Sequence, residues 1–324
     1  MRRIAAALLV PVAACIALAA CGSSSGSSAN ANVAVKVTGT FGKTAKVSIP
    51  TEKASSKLVI STPIKGTGAA LASGDSPLAD LTVYKWSGTK HTLLDTTFKT
   101  GPQIIPAQMG LPGLTTALKG ARVGSRIVAV LPPKYGYGTA GNSQLQITGK
   151  DTMVWVIDLI QQFSPSQSAS GTQVSTGGGK LPSVTAKSGQ QPVVTVPKNS
   201  PPSDSKLSVT TLVKGSGPKL AKGDTVVAQY VGVDWRTGKV FSTSWPSSQN
   251  AAGQLLSYEV GGSQVIPGLS NAVAGVPVGS RVMVVVPPAL GYGPAGGEAS
   301  AGIDKNDSLV FVIDVIGYQP AVAS

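Results

Sequence analysis

The chain has 324 residues with a formal net charge of +13; 42% of residues are hydrophobic and only 13% charged. It is too apolar for disorder throughout and long enough for two ordinary domains. Its 39 glycines and 23 prolines argue against a helical bundle and for short strands with turns. A single histidine and two cysteines supply neither a zinc ligand set nor a redox pair, so neither metal nor cofactor is expected.

The N-terminus reads as a signal. Met1-Arg2-Arg3 precedes an apolar or small run from Ile4 to Ala20, then Cys21, the order of a secretory leader. Leu18-Ala19-Ala20-Cys21 resembles the lipobox of bacterial lipoproteins, in which the cysteine thiol is lipidated after the leader is cut away. An uncleaved anchor helix is the weaker alternative, since the run is at the lower limit for a bilayer span. Val12-Ala13-Ala14-Cys15 is a poorer match, followed by Ile16. Residues 1–20 are therefore assigned to the signal. Residues 21–56 are a Ser/Gly-rich tether and arm, placing the protein at the extracytoplasmic face of the cell membrane on a lipid anchor. The lysines are scattered along the chain, so nucleic acid is not an expected partner; the positive charge suits anionic lipids and wall polymers.

Beyond the tether the chain repeats itself. Lys65-Gly66-Thr67-Gly68 returns as Lys214-Gly215-Ser216-Gly217, and Gly74-Asp75 as Gly223-Asp224. Leu111-Pro112-Gly113-Leu114 returns as Ile266-Pro267-Gly268-Leu269, and Val123-Gly124-Ser125-Arg126 as Val278-Gly279-Ser280-Arg281. Gly136-Tyr137-Gly138 matches Gly291-Tyr292-Gly293, and Val154-Trp155-Val156-Ile157-Asp158 matches Val310-Phe311-Val312-Ile313-Asp314. These ordered pairs define two tandem domains, 57–164 and 206–319. Residues 165–205, rich in Ser, Gly and Pro, read as a linker. A fainter echo, Val47-Ser48-Ile49-Pro50 against Val194-Thr195-Val196-Pro197, leaves open the alternative that each domain carries an extended N-terminal arm.

Within the second copy, Thr225 to Trp235, Arg281 to Val286 and Ser308 to Ile316 are β-branched runs punctuated by Gly and Pro. A short helix fits between Pro267 and Ala274, with Leu114 to Lys119 as its counterpart. Antiparallel strands around one short helix make each copy an α+β domain.

The second copy carries, in order, Gly-Asp, Tyr-x-Gly, Gly-Lys-x-Phe, Val-Ile-Pro-Gly, Val-Gly-Ser-Arg, Pro-Pro-x-x-Gly-Tyr-Gly and Leu-Val-Phe. This resembles the FKBP-type peptidyl-prolyl cis–trans isomerases over about 110 residues, Leu207 to Tyr318. The resemblance implies a twisted antiparallel sheet half-wrapped around a short helix, with an apolar pocket between them. It implies catalytic positions at Tyr230, Phe241, Ile266, Tyr292 and Phe311, and substrate-binding positions at Leu256, Val265, Leu269 and Ile303. Two departures stand out. Ser242 replaces the usual Asp after Phe241, removing a carboxylate from the pocket network, and Leu269 replaces the frequent Trp floor. The first copy places Tyr84, Leu94, Asp95, Leu114, Tyr137, Ile147 and Trp155 at pocket positions. It is eight residues shorter between Asp95 and Leu111 than the second is between Ser242 and Ile266, and three longer from Asp75 to Tyr84 than from Asp224 to Tyr230. A folded but weakly active first domain is expected.

The implied function is prolyl isomerisation that assists folding of exported proteins, mainly by the second domain. The implied partners are proline-containing polypeptides and, as a second ligand class, macrolides; the chain is expected to be a monomer. The competing reading, kept alive by Leu269 and Ser242, is a non-catalytic peptide-binding or chaperone module. A charged wall-surface spacer is a third. His91 lies in a polar turn and reads as solvated, and Tyr135 as structural. Asp158 and Asp314, as equivalent residues of separate copies, do not suggest a shared acid–base pair.

Overall fold

The computed structural model describes residues 34–106, 110–201, 206–246 and 253–321; the signal and Cys21 lie outside them. The first copy opens with a hairpin, β1 (Lys36–Thr38) and β2 (Lys46–Ser48). Then come β3 (Val59–Ile64), β4 (Ser76–Ser87), β5 (Lys90–Thr96), β6 (Gln103–Ile104), α1 (Pro112–Leu118), β7 (Arg126–Leu131) and β8 (Thr152–Phe163). The sheet runs β3-β7-β8-β4-β5, with β6 beside β4, and every pairing is antiparallel.

The segment read as a linker contains three strands, β9 (Thr172–Gln173), β10 (Ser183–Thr185) and β11 (Val193–Thr195). The second copy follows with β12 (Ser208–Lys214), β13 (Thr225–Asp234), β14 (Val240–Thr243), β15 (Leu256–Glu259), α2 (Pro267–Ala272) and β16 (Arg281–Val286). A small hairpin of β17 (Gly297–Glu298) and β18 (Ile303–Asp304) precedes the last strand, β19 (Leu309–Gln319). This sheet runs β14-β13-β19-β16-β12-β9, with β15 beside β13.

Both helices are too short to persist alone and are held by burial. Each has proline in its first turn, and Leu114 and Leu269 are buried beneath them. The glycine after each proline permits close packing. A Cβ on Gly113 would lie 2.8 Å from a Leu131 side-chain carbon, and one on Gly268 would collide with Val286.

Both faces of each sheet are covered, which is why β7, β8, β16 and β19 read as unbroken apolar runs rather than alternating ones. Along β8, Trp155 and Ile157 join the cluster that holds Leu114, while Val154 and Val156 join Trp86, Val128 and the β1–β2 hairpin residues Val37, Ala45 and Val47. Along β16, Val282, Val284 and Val286 pack with Leu269, while Met283 and Val285 pack with Val184, Leu181, Val194 and Val196 from residues 165–201. The faint sequence echo is thus a pair of hairpins, each laid on the outer face of the sheet that follows it.

A buried ion pair fastens each arrangement. Arg126 Nε donates to Asp158 at 2.6 Å across the β7–β8 ladder, and Arg281 Nε donates to Asp314 at 2.5 Å across β16–β19. The Arg126 guanidinium also donates to the carbonyls of Gly39, Thr40 and Lys43, and Asp158 accepts the N–H of Gly42. Asp314 likewise accepts the N–H of Ala169. Each carboxylate is thus engaged within its own copy. The serine before each arginine accepts a backbone N–H at 2.9 Å, Ser125 from Gly66 and Ser280 from Gly215. The repeated Gly-x-Gly and Val-Gly-Ser-Arg motifs therefore meet in space.

One strand position distinguishes the copies energetically. Asp80 lies opposite Asp158, whereas Gln229 lies opposite Asp314. Burial, reinforced by the Asp158 charge, raises the Asp80 pKa, while a 3.0 Å hydrogen bond from the Thr97 hydroxyl acts the other way. A raised carboxyl pKa means that folding favours the protonated form. That contribution is complete below the ordinary carboxylate range and is lost as pH rises through the raised pKa. Asp80→Asn keeps the acceptor and removes the charge. It is expected to raise the thermal midpoint at pH 7 by roughly 2–4 °C, and the difference from the parent should shrink as pH falls. An equal difference at pH 4 and pH 7, read by calorimetry, would contradict this account.

Candidate functional site

The nine pocket positions expected in the second copy fall in one apolar cluster. Leu269, Ile303 and Phe311 are buried, and Tyr230, Phe241, Leu256, Val265, Ile266 and Tyr292 pack half-exposed against it. They come from β13, β14, β15, β18, β19, α2 and its entry, and the turn after β16, so sheet and helix both contribute. Phe241 meets Phe311 edge to face, with centroids 5.6 Å apart and planes at 89°; Tyr230 lies 6.3 Å from Phe311, tilted by 43°. Gly232, paired with Phe311 across the ladder, makes the room. A Cβ there would stand 2.7 Å from Phe241 Cζ and 3.0 Å from Phe311 Cε1.

The polar groups are few. The Tyr230 and Ser242 hydroxyls are hydrogen-bonded at 2.7 Å. Burial, then the Glu298 and Tyr230 charges, push the Tyr292 pKa above its ordinary value, leaving the phenol a neutral donor at physiological pH. The Ile266 N–H makes no backbone hydrogen bond among the described residues. Below the floor, the Tyr258 hydroxyl donates to the Leu269 carbonyl at 3.1 Å.

Comparison with known proteins accounts for this pattern. A family profile, FKBP-type peptidyl-prolyl cis-trans isomerase, matches residues 83–160 and 217–316. The chain belongs to the FKBP-type peptidyl-prolyl cis-trans isomerases. It is 35% identical over 127 residues to the FK506-binding protein of Streptomyces anulatus, covering 39% of this chain and 96% of that one. It is 36% identical over 110 residues to the isomerase FkpA of Escherichia coli K12, covering 33% and 35% respectively. It is 38% identical over 109 residues to the outer membrane protein MIP of Legionella longbeachae, covering 33% and 42%. Among solved structures, the three FKBP domains of wheat FKBP73 align at 16% identity over 81% of this chain and 94% of that one, with a TM-score of 0.31. The crystal structure of E. coli FkpA aligns at 32% identity over 37% and 51%, again with a TM-score of 0.31.

The first FKBP segment departs from the second at identifiable positions. Leu114, Ile147 and Trp155 are buried in one cluster, with Leu94 and Tyr137 against it. Leu94 occupies the same bulge in β5 as Phe241 does in β14, and Asp95 lies opposite Val83 as Ser242 lies opposite Gly232. Tyr84 is a correction. It pairs with Val154 and packs in the cluster on the outer, hairpin-covered face. Leu81, opposite Ile157, holds the position that Tyr230 holds opposite Ile313. The clue was the spacing: six residues beyond Asp224 is Tyr230, and six beyond Asp75 is Leu81. Val83 takes the place of Gly232, so a branched side chain stands where the second segment leaves space for aromatic rings. Gln103, opposite Ala79, replaces Leu256, opposite Ala228.

Two cavities lie apart from the aromatic cluster. One of about 540 Å³ adjoins α1 and is lined by Leu71, Ile105, Leu114 and Leu118 among others; Ile105 is there the smaller counterpart of Tyr258. A wider cleft of about 710 Å³ is bordered by Gln103, Ile104, Leu255 and Tyr258. His91 is exposed on β5, and Tyr135, like Tyr137, packs partly buried against the core.

Gly232→Ala is expected to destabilise the chain by about 1–3 kcal/mol, the usual cost of overpacking, and to disturb the aromatic near-ultraviolet circular dichroism. Val83→Ala should leave that signal nearly unchanged. Equal, small effects of both substitutions would show that the Phe241–Phe311 contact does not depend on the glycine.

Proposed function

We propose that the second FKBP segment is the principal isomerase of this chain and that the hollow lined by Tyr230, Phe241 and Phe311 is where an X–Pro bond turns. The observation carrying this reading is the edge-to-face Phe241–Phe311 pair, with Tyr230 beside it, held open by Gly232. The X–Pro amide rotates slowly because rotation breaks resonance, at a barrier of roughly 18–20 kcal/mol. The twisted amide is less polar than the planar one. Transfer into an apolar hollow therefore penalises it less than the ground state, which is differential binding in favour of the transition state. No nucleophile or proton shuttle is required.

In this reading the aromatic rings and Leu269 enclose the proline ring, with Leu256 and Val265 on one wall and Ile303 on another. The Tyr292 hydroxyl and the Ile266 N–H hold the flanking carbonyls. Leu269 gives a smaller floor than the family's usual indole, which reduces the contact surface for a macrolide more than for a proline ring.

The first segment fits the other reading, a peptide-binding unit with little turnover. Leu81 and Leu94 stand where Tyr230 and Phe241 stand, and Val83 narrows the hollow. We further infer that the chain is exported and tethered through Cys21 as a monomer, assisting the folding of proteins outside the cytoplasmic membrane. The lipobox-like Leu18-Ala19-Ala20-Cys21 and the relative named as an outer membrane protein support this. No helix among the described residues is long and apolar enough to cross a membrane.

In a protease-coupled assay on proline-containing peptides, Phe311→Ala in the full chain is expected to leave less than about a tenth of kcat/KM, a loss of about 1.4 kcal/mol or more of transition-state stabilisation. Retention of more than half the activity by this folded variant would move the isomerase away from the second segment.

A further inference from the structure

An ionic cluster outside the aromatic hollow bears on it. Arg236, in the turn between β13 and β14, donates from Nε and one terminal nitrogen to the two carboxylate oxygens of Asp307 at 2.7 and 2.8 Å. The same guanidinium reaches Asp304 at 3.0 Å and Asp234 at 3.6 Å. Asp307 is almost fully buried and also accepts the Asp304 N–H at 2.7 Å. Asp234 is buried too, and accepts the Arg236 N–H and the Thr237 hydroxyl, which fixes the turn carrying the arginine. The arginine side chain itself is half-exposed. It holds the Asp307 carboxyl below the usual carboxylate range, chiefly through its hydrogen bonds.

What this clasp fastens is a wall of the hollow. Asp304 directly follows Ile303, and both belong to β18, the return strand of the β17–β18 hairpin. Ile303 is 3% exposed and packs in the cluster of Phe311 and Tyr292. Beyond the clasp, this hairpin has few ties to the sheet. Its own pairing is two residues long, and among the described residues the Glu298 side chain bonds only within the hairpin, to Ser300. The first segment carries no arginine at this place. Trp86 matches Trp235 there, so Ser87 stands where Arg236 does and gives Asp151 one neutral hydrogen bond instead of a bidentate clasp, while Asp151 accepts the Thr148 N–H as Asp307 accepts that of Asp304.

We infer that Arg236 is a positioning residue for prolyl isomerisation: by clasping Asp304 and Asp307 it keeps Ile303 seated as a wall of the aromatic hollow. A fork-shaped guanidinium suits this task because it engages both carboxylate oxygens at once, which an ammonium cannot do. This inference rests on the second hollow being the site of turnover.

The test uses the full chain and measures kcat and KM on proline peptides for Arg236→Ala, Arg236→Lys, Asp307→Asn, Ile303→Ala and the double variant Arg236→Ala/Ile303→Ala. Arg236→Ala is expected to lower kcat/KM about five- to tenfold through loss of positioning, with KM taking more of the change than kcat. Arg236→Lys should recover part of it. Asp307→Asn should reproduce the Arg236→Ala phenotype. The double variant should be no worse than Ile303→Ala, because the arginine acts through that side chain. Salt near 1 M, where the Debye length is about 3 Å, should weaken the parent and leave Arg236→Ala unaffected. Unchanged kcat/KM in Arg236→Ala and Asp307→Asn, or full additivity with Ile303→Ala, would overturn the proposal. Phe311→Ala separates the two levels: if it too leaves activity intact, the choice of hollow is wrong; if it abolishes activity while the arginine variants do not, only the clasp is wrong.

Discussion

Each half of the molecule is organised by one buried guanidinium–carboxylate pair. Arg126 with Asp158, and Arg281 with Asp314, lock the register of the two strands that carry most of the core. A buried pair of this kind adds little net stability over an apolar substitute, but removing one partner costs about 3–5 kcal/mol because the other is left stranded. Its value here is geometric. In a sheet a one-residue slip turns every side chain to the opposite face, and along β19 such a slip would carry Phe311 away from Phe241 and Tyr230. The same carboxylates also take N–H groups from the chain ahead of each sheet, so one pair sets the register and secures the cover.

Much of this was legible in the sequence. Arg281 to Val286 was read as a strand and is one, and the short helix begins at the expected proline. That the nine positions named in the second copy would share one apolar cluster was readable for most of them because they sit in motifs whose residue types are dictated locally, such as the proline and glycine that admit the helix. What escaped was long-range. Tyr84 was matched to Tyr230 by residue type, whereas the ladder matches Leu81. The three-residue difference in spacing held that information, but an aromatic residue near the right place outweighed it. The hairpin covers were half-visible as an echo of four residues. The unbroken apolar runs of β7 and β16 were the better signal, since a strand buried on one side only alternates.

The two halves show how one fold keeps its frame while the side chains around Phe311 and its counterpart Trp155 change. The motifs that build the frame recur almost unchanged, because they answer to close backbone packing and to a buried charge. The residues of the aromatic cluster and their neighbours answer to volume and polarity, and there the halves diverge: Leu81 for Tyr230, Val83 for Gly232, Leu94 for Phe241 and Gln103 for Leu256. None of these exchanges threatens the core. Each removes an aromatic ring, a space or an apolar side chain from the cluster around the residue opposite it.

The hairpin β10–β11 shields Met283 and Val285 from water, with Val231, Val233, Val310 and Val312 in the same cluster. It precedes the body it protects. A polypeptide made from its N-terminus therefore delivers the cover before the sheet, and the surface it covers is complete only once β19 has emerged. A fragment trimmed at residue 206, where the sequence alone would start the domain, discards that cover and turns a valine-lined interior into an adhesive exterior.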